Sequence, residues 1–155
     1  MRGEMIRKAL ISDVKNIQQL INSFAGEGVV LPRSLSELYD NLRDYSVYCH
    51  GTEETICGTC AIHVCWENLA EIRSLVVRED CGKSGVGKAL VESCLAEAHT
   101  LGIRRVFVLT YKESFFEKLG FRTIDKSDLP HKIWADCLKC AKFPDCDEVA
   151  MEKEL

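Results

Sequence analysis

The stretch REDCGKSGVGKALVESC, residues 78–94, constrains the fold more than any other part of the sequence. Glycines at 82, 85 and 87 lie between the apolar run SLVV and a helical repeat that places Val86, Leu90, Cys94 and Ala98 at i,i+4 spacing, with Gly102 as its stop. A strand must therefore hand over to a helix within a few residues. The glycines let successive backbone N–H groups turn inward beside the positive end of the helix dipole. Such a nest suits a pyrophosphate without any metal, with Lys83 and Lys88 as point charges at its rim. The plainer reading is a strand-to-helix turn that needs flexible glycines and nothing more. Two familiar phosphate motifs are excluded. A P-loop needs Ser or Thr after its lysine and position 89 is Ala; a dinucleotide fingerprint needs a third glycine where Leu90 stands.

The flanking segments extend this strand-helix alternation. MIRKALI reads as a strand, after Met1–Glu4 as a short leader. SDVKNIQQLINSF reads as a helix with Ser12 as its N-cap, and RSLSELYDNLRDY as a second helix opened by a capping box of Ser34 and Glu37. SVYCHG, TICGTCAIHVC and LAEIRSLVVRE follow as three β-rich segments, the pattern of an antiparallel meander. After the glycine-rich helix come the strand RRVFVLT, the short helix ESFFEKLG, the strand FRTID and the alternating EVAMEKEL. The expected class is α/β (α+β), a mixed, mostly antiparallel sheet with helices on both faces. With no repeat or Pro/Gly-rich linker, residues 1–155 are expected to form a single domain with a cysteine-containing segment at 129–147.

Composition narrows the partners. Apolar residues at 46% and charged residues at 28% fit a globular chain, and a formal charge of −4 argues against nucleic acid. No apolar run has the length of a membrane span, and no secretion signal opens the sequence. The expected location is cytoplasmic, and the nine cysteines are then expected to be reduced thiols rather than a disulfide framework.

In combination, IRSLVVRED-CGKSGVGKALVESCLAEA, VFVLT and FFEKLGF resemble the Gcn5-related N-acetyltransferase family over roughly residues 5–125. The family's loop pattern, Q/R-x-x-G-x-G/A, falls on Gly82, Gly85 and Gly87, with Gly82 in place of the usual Gln or Arg. The resemblance implies a sheet splayed between two central strands with acetyl-CoA as cosubstrate in the gap. Backbone groups of Leu75, Val76 and Val77 would meet the pantetheine arm. Lys83, Ser84, Gly85, Val86, Gly87 and Lys88 would hold the pyrophosphate.

Acetyl transfer to an amine needs a base for the ammonium, donors for the oxyanion and an acid for the leaving thiolate. Glu71, on the strand before the loop, is the first candidate base. The competing reading is a salt bridge to Arg73, two residues on and on the same strand face. His63 is a rival base that is equally readable as a packed strand residue. For the acid, the family's FYEKLGF is FFEKLGF here, and Phe116 has no proton to give. Thr110 or Tyr111 would then supply a hydroxyl, or the thiolate leaves unassisted, being a fair leaving group at a thiol pKa of roughly 8.5.

Within the family, LPRSLSELYDNLRDYSVY together with AEIRSLVVRED resembles the acetyltransferase domain of N-acetylglutamate synthases. This implies that Arg33, followed by Ser34, grips a carboxylate of glutamate, and that Glu71 takes the base position of the E-[LI]-x-x-L motif. A guanidinium fork suits each of glutamate's two carboxylates, and Arg33 and Arg73 are the candidate forks. For Arg33 the alternative is an exposed helix-start residue. The leading expectation is acetylation of the α-amine of glutamate, as in arginine biosynthesis. The alternatives are N-acetylation of another amine, or a non-catalytic acyl-CoA-binding or sensor module. A homodimer through strands near the C-terminus is what the family implies.

The sequence LPHKIWADCLKCAKFPDCDEVAM contains Cys137, Cys140 and Cys146 at a spacing suited to a structural zinc, with His131 or another cysteine as fourth ligand. Core thiols, an iron–sulfur site and a redox pair are the other readings. This tail is expected to cover the acceptor pocket, anchored by Trp134 and Phe143. Cys57 and Cys60 are expected on opposite faces of a strand.

Overall fold

The computed structural model describes residues 4–26, 30, 32–50, 55–81, 85–130 and 148–155. Seven strands form one sheet: β1 (Glu4–Lys8), β2 (Tyr45–His50), β3 (Thr55–Trp66), β4 (Leu69–Val77), β5 (Arg105–Thr110), β6 (Arg122–Ile124) and β7 (Val149–Glu154). Their order across the sheet is β1-β2-β3-β4-β5-β7-β6, and every neighbouring pair is antiparallel except β4 with β5. Four helices cover it: α1 (Val14–Ala25), α2 (Leu35–Asp40), α3 (Val86–Thr100) and α4 (Glu113–Glu117).

Each helix follows from a local cause. Val14, Ile17, Leu20 and Ile21 form one buried face of α1. Its expected cap at Ser12 is displaced: residues 11–13 form a 3-10 turn, and Asp13 precedes the helix instead. The Asp13 carboxylate accepts the Leu10 amide at 2.7 Å and both Arg7 guanidinium nitrogens, at 2.7 and 3.1 Å. At α2 the capping box forms as expected. Ser34 Oγ accepts the Glu37 amide and Glu37 Oε1 accepts the Ser34 amide, both at 3.1 Å. α2 is only six residues long, because the chain tightens into a 3-10 turn at Leu42–Asp44 before β2. α3 buries Val86, Leu90, Val91, Cys94, Leu95 and Ala98, and Gly102 takes φ +90° just past its end.

The sheet separates two cores. On one side α3 and α4 pack over Ile62, Ile72, Val106, Val108 and Met151. On the other, α1 and α2 pack over Val47, Ala61 and Val76. Close contact under α3 requires Gly58, where a Cβ would come within 3.1 Å of a Leu90 methyl and 3.2 Å of the Val76 carbonyl.

Two expectations about cysteines are corrected. Cys57 and Cys81 are joined by a disulfide, so the described thiols are not all reduced. The bond bridges β3 to the turn after β4, where the Arg78 amide already donates to the Cys57 carbonyl at 2.7 Å. Cys57 and Cys60 both pack in the core under α3 rather than on opposite faces. The register between β2 and β3 shifts at Tyr48/Cys49, and this bulge at Cys57–Gly58 breaks the simple alternation. Cys49, Cys60, Cys65 and Cys94 are buried. A hydrogen bond with Cys94 and complete burial push the Cys60 thiol well above its ordinary pKa, so it behaves as a core hydrophobe.

Candidate active site

The parallel pair β4–β5 holds the key irregularity. It is registered only at Ala70 with Val106 and Glu71 with Phe107, whereas β5 stays paired to β7 from Arg105 to Thr110. Beyond Glu71 the two central strands part, as the family resemblance implies. At the same place β4 bulges: Thr59 and Ala61 of β3 face Val76 and Arg73, so three positions of β4 oppose two. Within the bulge Ser74 takes φ +54°, a left-handed conformation that is uncommon outside glycine and concentrates at functional sites.

Glu71 is buried at the mouth of this split, 9% exposed, and accepts a bond from Arg73 Nε at 2.7 Å. The ion pair that competes with the catalytic reading is therefore present. Across the strand Glu71 faces His63, whose Nδ1 lies 2.6 Å from Asp44 Oδ2. Tyr45, opposite Ala61, reaches over the same face to bring its hydroxyl 3.4 Å from Ser74 Oγ. Burial pushes the Tyr45 phenol upward. The Ser74 hydrogen bond and the nearby Arg33 and Arg73 charges oppose that shift, while Asp44 adds to it.

Arg33 is not an exposed helix-start residue; it is 8% exposed. Its backbone is clamped to α1: its amide donates to Asn22 Oδ1 at 3.1 Å, and its carbonyl accepts from Gln18 and Asn22 at 3.3 and 3.4 Å. Its guanidinium reaches Glu37 Oε2 at 3.4 Å. Arg33, Arg73 and Glu71 thus share one face of the sheet around Tyr45. Ser34 uses its hydroxyl to cap α2.

The residues expected to meet the cosubstrate lie along β4 beyond the split and at the start of α3. Leu75 and Val77 are half-buried against the α3 core, while Val76 points into the α1 core. Gly85 takes φ +87° as the N-cap of α3, Val86 is buried, and Lys88 is exposed. A Cβ on Gly87 would touch the Phe115 ring at 3.4 Å. Lys83 and Ser84 lie outside the described residues. Alternation from Val106 and Val108 puts Thr110 on the α3 side, away from Glu71, with its Oγ1 accepting the Lys112 amide at 2.8 Å. Tyr111 is 37% exposed in the following turn. Phe116 is a core residue, edge-on to Phe115 and Phe121 with centroids 5.0 and 5.2 Å away.

The proposed zinc ligands Cys137, Cys140 and Cys146, with His131 and the anchors Trp134 and Phe143, lie outside the described residues. Among the described residues no group of three or more His, Cys, Asp or Glu is placed to hold a metal. No helix among them is long and apolar enough to cross a membrane.

Sequence reasoning missed Tyr45, Ser74 and Asp44. Tyr45 and Ser74 meet only because of the β4 bulge, which leaves no sequence signature. Asp44 had one usable signal, its place in the turn just before a strand.

Known proteins resemble this chain in sequence and in fold. Residues 14–121 match the Acetyltransferase (GNAT) family. The chain is 39% identical over 150 residues to a protein of Chlorobaculum tepidum named as an uncharacterized N-acetyltransferase, covering 97% of this chain and 96% of that one. It is 34% identical over 131 residues to an amino-acid acetyltransferase of Mycobacterium tuberculosis, covering 84% and 75%. The structure of N-acetylglutamate synthase from Neisseria gonorrhoeae, complexed with coenzyme A and N-acetyl-glutamate, superposes with a TM-score of 0.88. At 24% identity it covers all of this chain but 36% of the synthase, a likeness of fold.

Proposed function

The chain belongs to the acetyltransferase (GNAT) family and is an N-acetyltransferase that draws on acetyl-CoA; we propose that its acceptor is the α-amine of glutamate, which would place it at an acetylation step of arginine formation. The observation that carries this reading is the burial of Arg33 beside Arg73 and Glu71 on one face of the split sheet. Glu37 and Glu71 meet these guanidinium groups in part, and each five-donor fork can also bind a carboxylate of a dicarboxylate acceptor. The amino-acid acetyltransferase relative and the synthase that binds N-acetyl-glutamate support the choice.

In the proposed mechanism the two arginines orient the carboxylates so that the α-ammonium lies at Glu71. Glu71 takes one proton from the ammonium, the freed amine nitrogen attacks the thioester carbon, the C–S bond breaks, and the nitrogen gives up its second proton to water or to the hydroxyl that protonated the thiolate. Backbone groups of Leu75 to Val77 and the loop from Lys83 to Lys88 hold the cosubstrate. The thiolate leaves as such, or receives a proton from Thr110 or Tyr111. Thr110 Oγ1 uses a lone pair on the Lys112 amide and so keeps its own proton to give.

The test is acetyl-CoA-dependent CoA release against a panel of glutamate, aspartate, glutamine, lysine and spermidine, with the protein's own thiols blanked. The expected result is release with glutamate well above the others. Release with a cationic amine alone would overturn the acceptor. Binding of acetyl-CoA with no release for any amine would favour a sensor module.

A further inference from the structure

His63 stands directly opposite Glu71 in the β3–β4 ladder. Opposite residues of an antiparallel pair share a face, with Cβ atoms about 5 Å apart. The Asp44 carboxylate can only accept, so at 2.6 Å it keeps the imidazole proton on Nδ1 and leaves the lone pair on Nε2. The side chains are also graded in exposure. Glu71 is 11% exposed, Asp44 25% and His63 30%, so the imidazole is the side chain of the three most open to solvent.

Glu71 has a task it does not complete alone. Each time it takes a proton, its ion pair with Arg73 at 2.7 Å is weakened. An imidazole is by type a stronger base than a carboxylate, and one placed across the strand can drain that proton and restore the pair.

We propose that His63, held by Asp44, is a positioning and relay residue that acts through Glu71, carrying the acceptor's proton from the buried carboxylate to water. The inference rests on the reading of Glu71 as the base. The N–H bond of the acceptor ammonium breaks and its electron pair stays on nitrogen, where it forms the new C–N bond. The proton joins a Glu71 oxygen, moves to His63 Nε2 to give an imidazolium, and passes to solvent; no oxidant or further reactant is consumed.

Other charged groups on this face are already engaged. Arg33 comes from the start of α2 and reaches Glu37; Arg73 comes from β4. Arg105 of β5 and Glu152 of β7 bond each other at 2.6 Å. Among the described residues the other titratable neighbours are Tyr45 of β2, held near Ser74, and Cys65 of β3, whose thiol donates to the His63 carbonyl at 3.5 Å. His63 is the group of this set whose residue type changes charge in the physiological range.

The experiment is the pH dependence of kcat and kcat/KM, from about pH 5 to about pH 9, for wild type, His63→Gln, His63→Ala, Asp44→Asn, Glu71→Gln and the double variant His63→Gln/Glu71→Gln. The expected result is a loss of kcat of roughly tenfold or more in His63→Gln, with acceptor KM little changed and the acid limb of the profile altered. Free imidazole should restore part of the rate to His63→Ala. Asp44→Asn should give a smaller loss of the same form, and it carries the test where a His63 variant fails to fold. The double variant should be no slower than Glu71→Gln alone. An unchanged profile in folded His63 and Asp44 variants, without imidazole rescue, overturns the relay while leaving Glu71 as base. Full turnover in Glu71→Gln overturns the base reading on which the relay depends.

Discussion

Under α3 the sheet meets Leu90, Val91, Cys94 and Ala98, all sealed from solvent and none carrying a charge. Under α1 and α2 it meets Val14, Ile17 and Ile21, equally sealed, but that face also holds buried Arg33 and Glu71, with Asp13 at the start of α1. Further across the same face Glu152 lies opposite Phe107. Each of these charges has an opposite charge against it, as burial demands. Paired buried charges contribute little net stability, whereas close-packed apolar side chains contribute much. The contrast teaches a division of labour. The α3 face supplies rigidity beside the proposed cosubstrate loop, and the charged face holds the residues proposed for acceptor recognition and proton transfer.

The most forceful way to break this comparison is Leu90→Ala. Leu90 is fully buried against Gly58, and truncation should cost about 2–5 kcal/mol with the acceptor KM unchanged, read from urea unfolding beside kinetics. A change in KM larger than the change in stability would show that the faces are not separate.

Reducing the Cys57–Cys81 bond comes next. It closes a loop with a sequence separation of 24, so its loss should cost about 3 kcal/mol, measured as a fall in the urea midpoint with dithiothreitol. Cys57→Ser/Cys81→Ser should show that fall without reductant and no further response to it.

Arg33→Ala probes the charged face. Losing a charge-assisted carboxylate contact of about 1.5–3 kcal/mol should raise the glutamate KM roughly tenfold to hundredfold. Acetyl-CoA affinity should stay within about twofold, by the same independence of distant sites. Arg33→Lys should recover only part of it, since a point charge lacks the fork.

The smallest effect concerns acid. Burial works to raise the Glu152 pKa, but hydrogen bonds from Arg105 and Arg122 outweigh it and hold the carboxyl below its ordinary value. Its stabilisation is therefore present above the unfolded carboxyl range, and is lost as pH falls through the lower folded value. Glu152→Gln should flatten the fall in urea midpoint below about pH 4. An equally steep fall would assign acid sensitivity elsewhere, with Asp13 next in line, since Arg7 and the Leu10 amide lower its pKa against burial.

How much of this was legible in the sequence differs between the same two faces. The α3 core could be read almost residue by residue, because Val86, Leu90, Cys94 and Ala98 obey a helical period and Gly102 stops it. The Ser34–Glu37 box was readable for the same reason, being local in sequence. Glu71, Arg33 and Arg73 were identifiable as candidates through their motif resemblance, but their convergence around Tyr45 was not. That depends on strand register, on the Ser74 bulge and on the clamp of α1 side chains on the Arg33 backbone. The bulge at Cys57 likewise defeated period-two reasoning about Cys57 and Cys60. Asp13 displaced Ser12 because a carboxylate that binds both Arg7 and the Leu10 amide offers more than a serine hydroxyl.

The most direct test of the division between the faces is Glu71→Gln, assayed for turnover with saturating acceptor and for acetyl-CoA affinity by calorimetry on the same preparation. The account predicts that turnover falls by roughly 10²–10⁴ while acetyl-CoA binds as in the wild type. Turnover near the wild-type rate, or a loss of acetyl-CoA affinity in step with turnover, would contradict it.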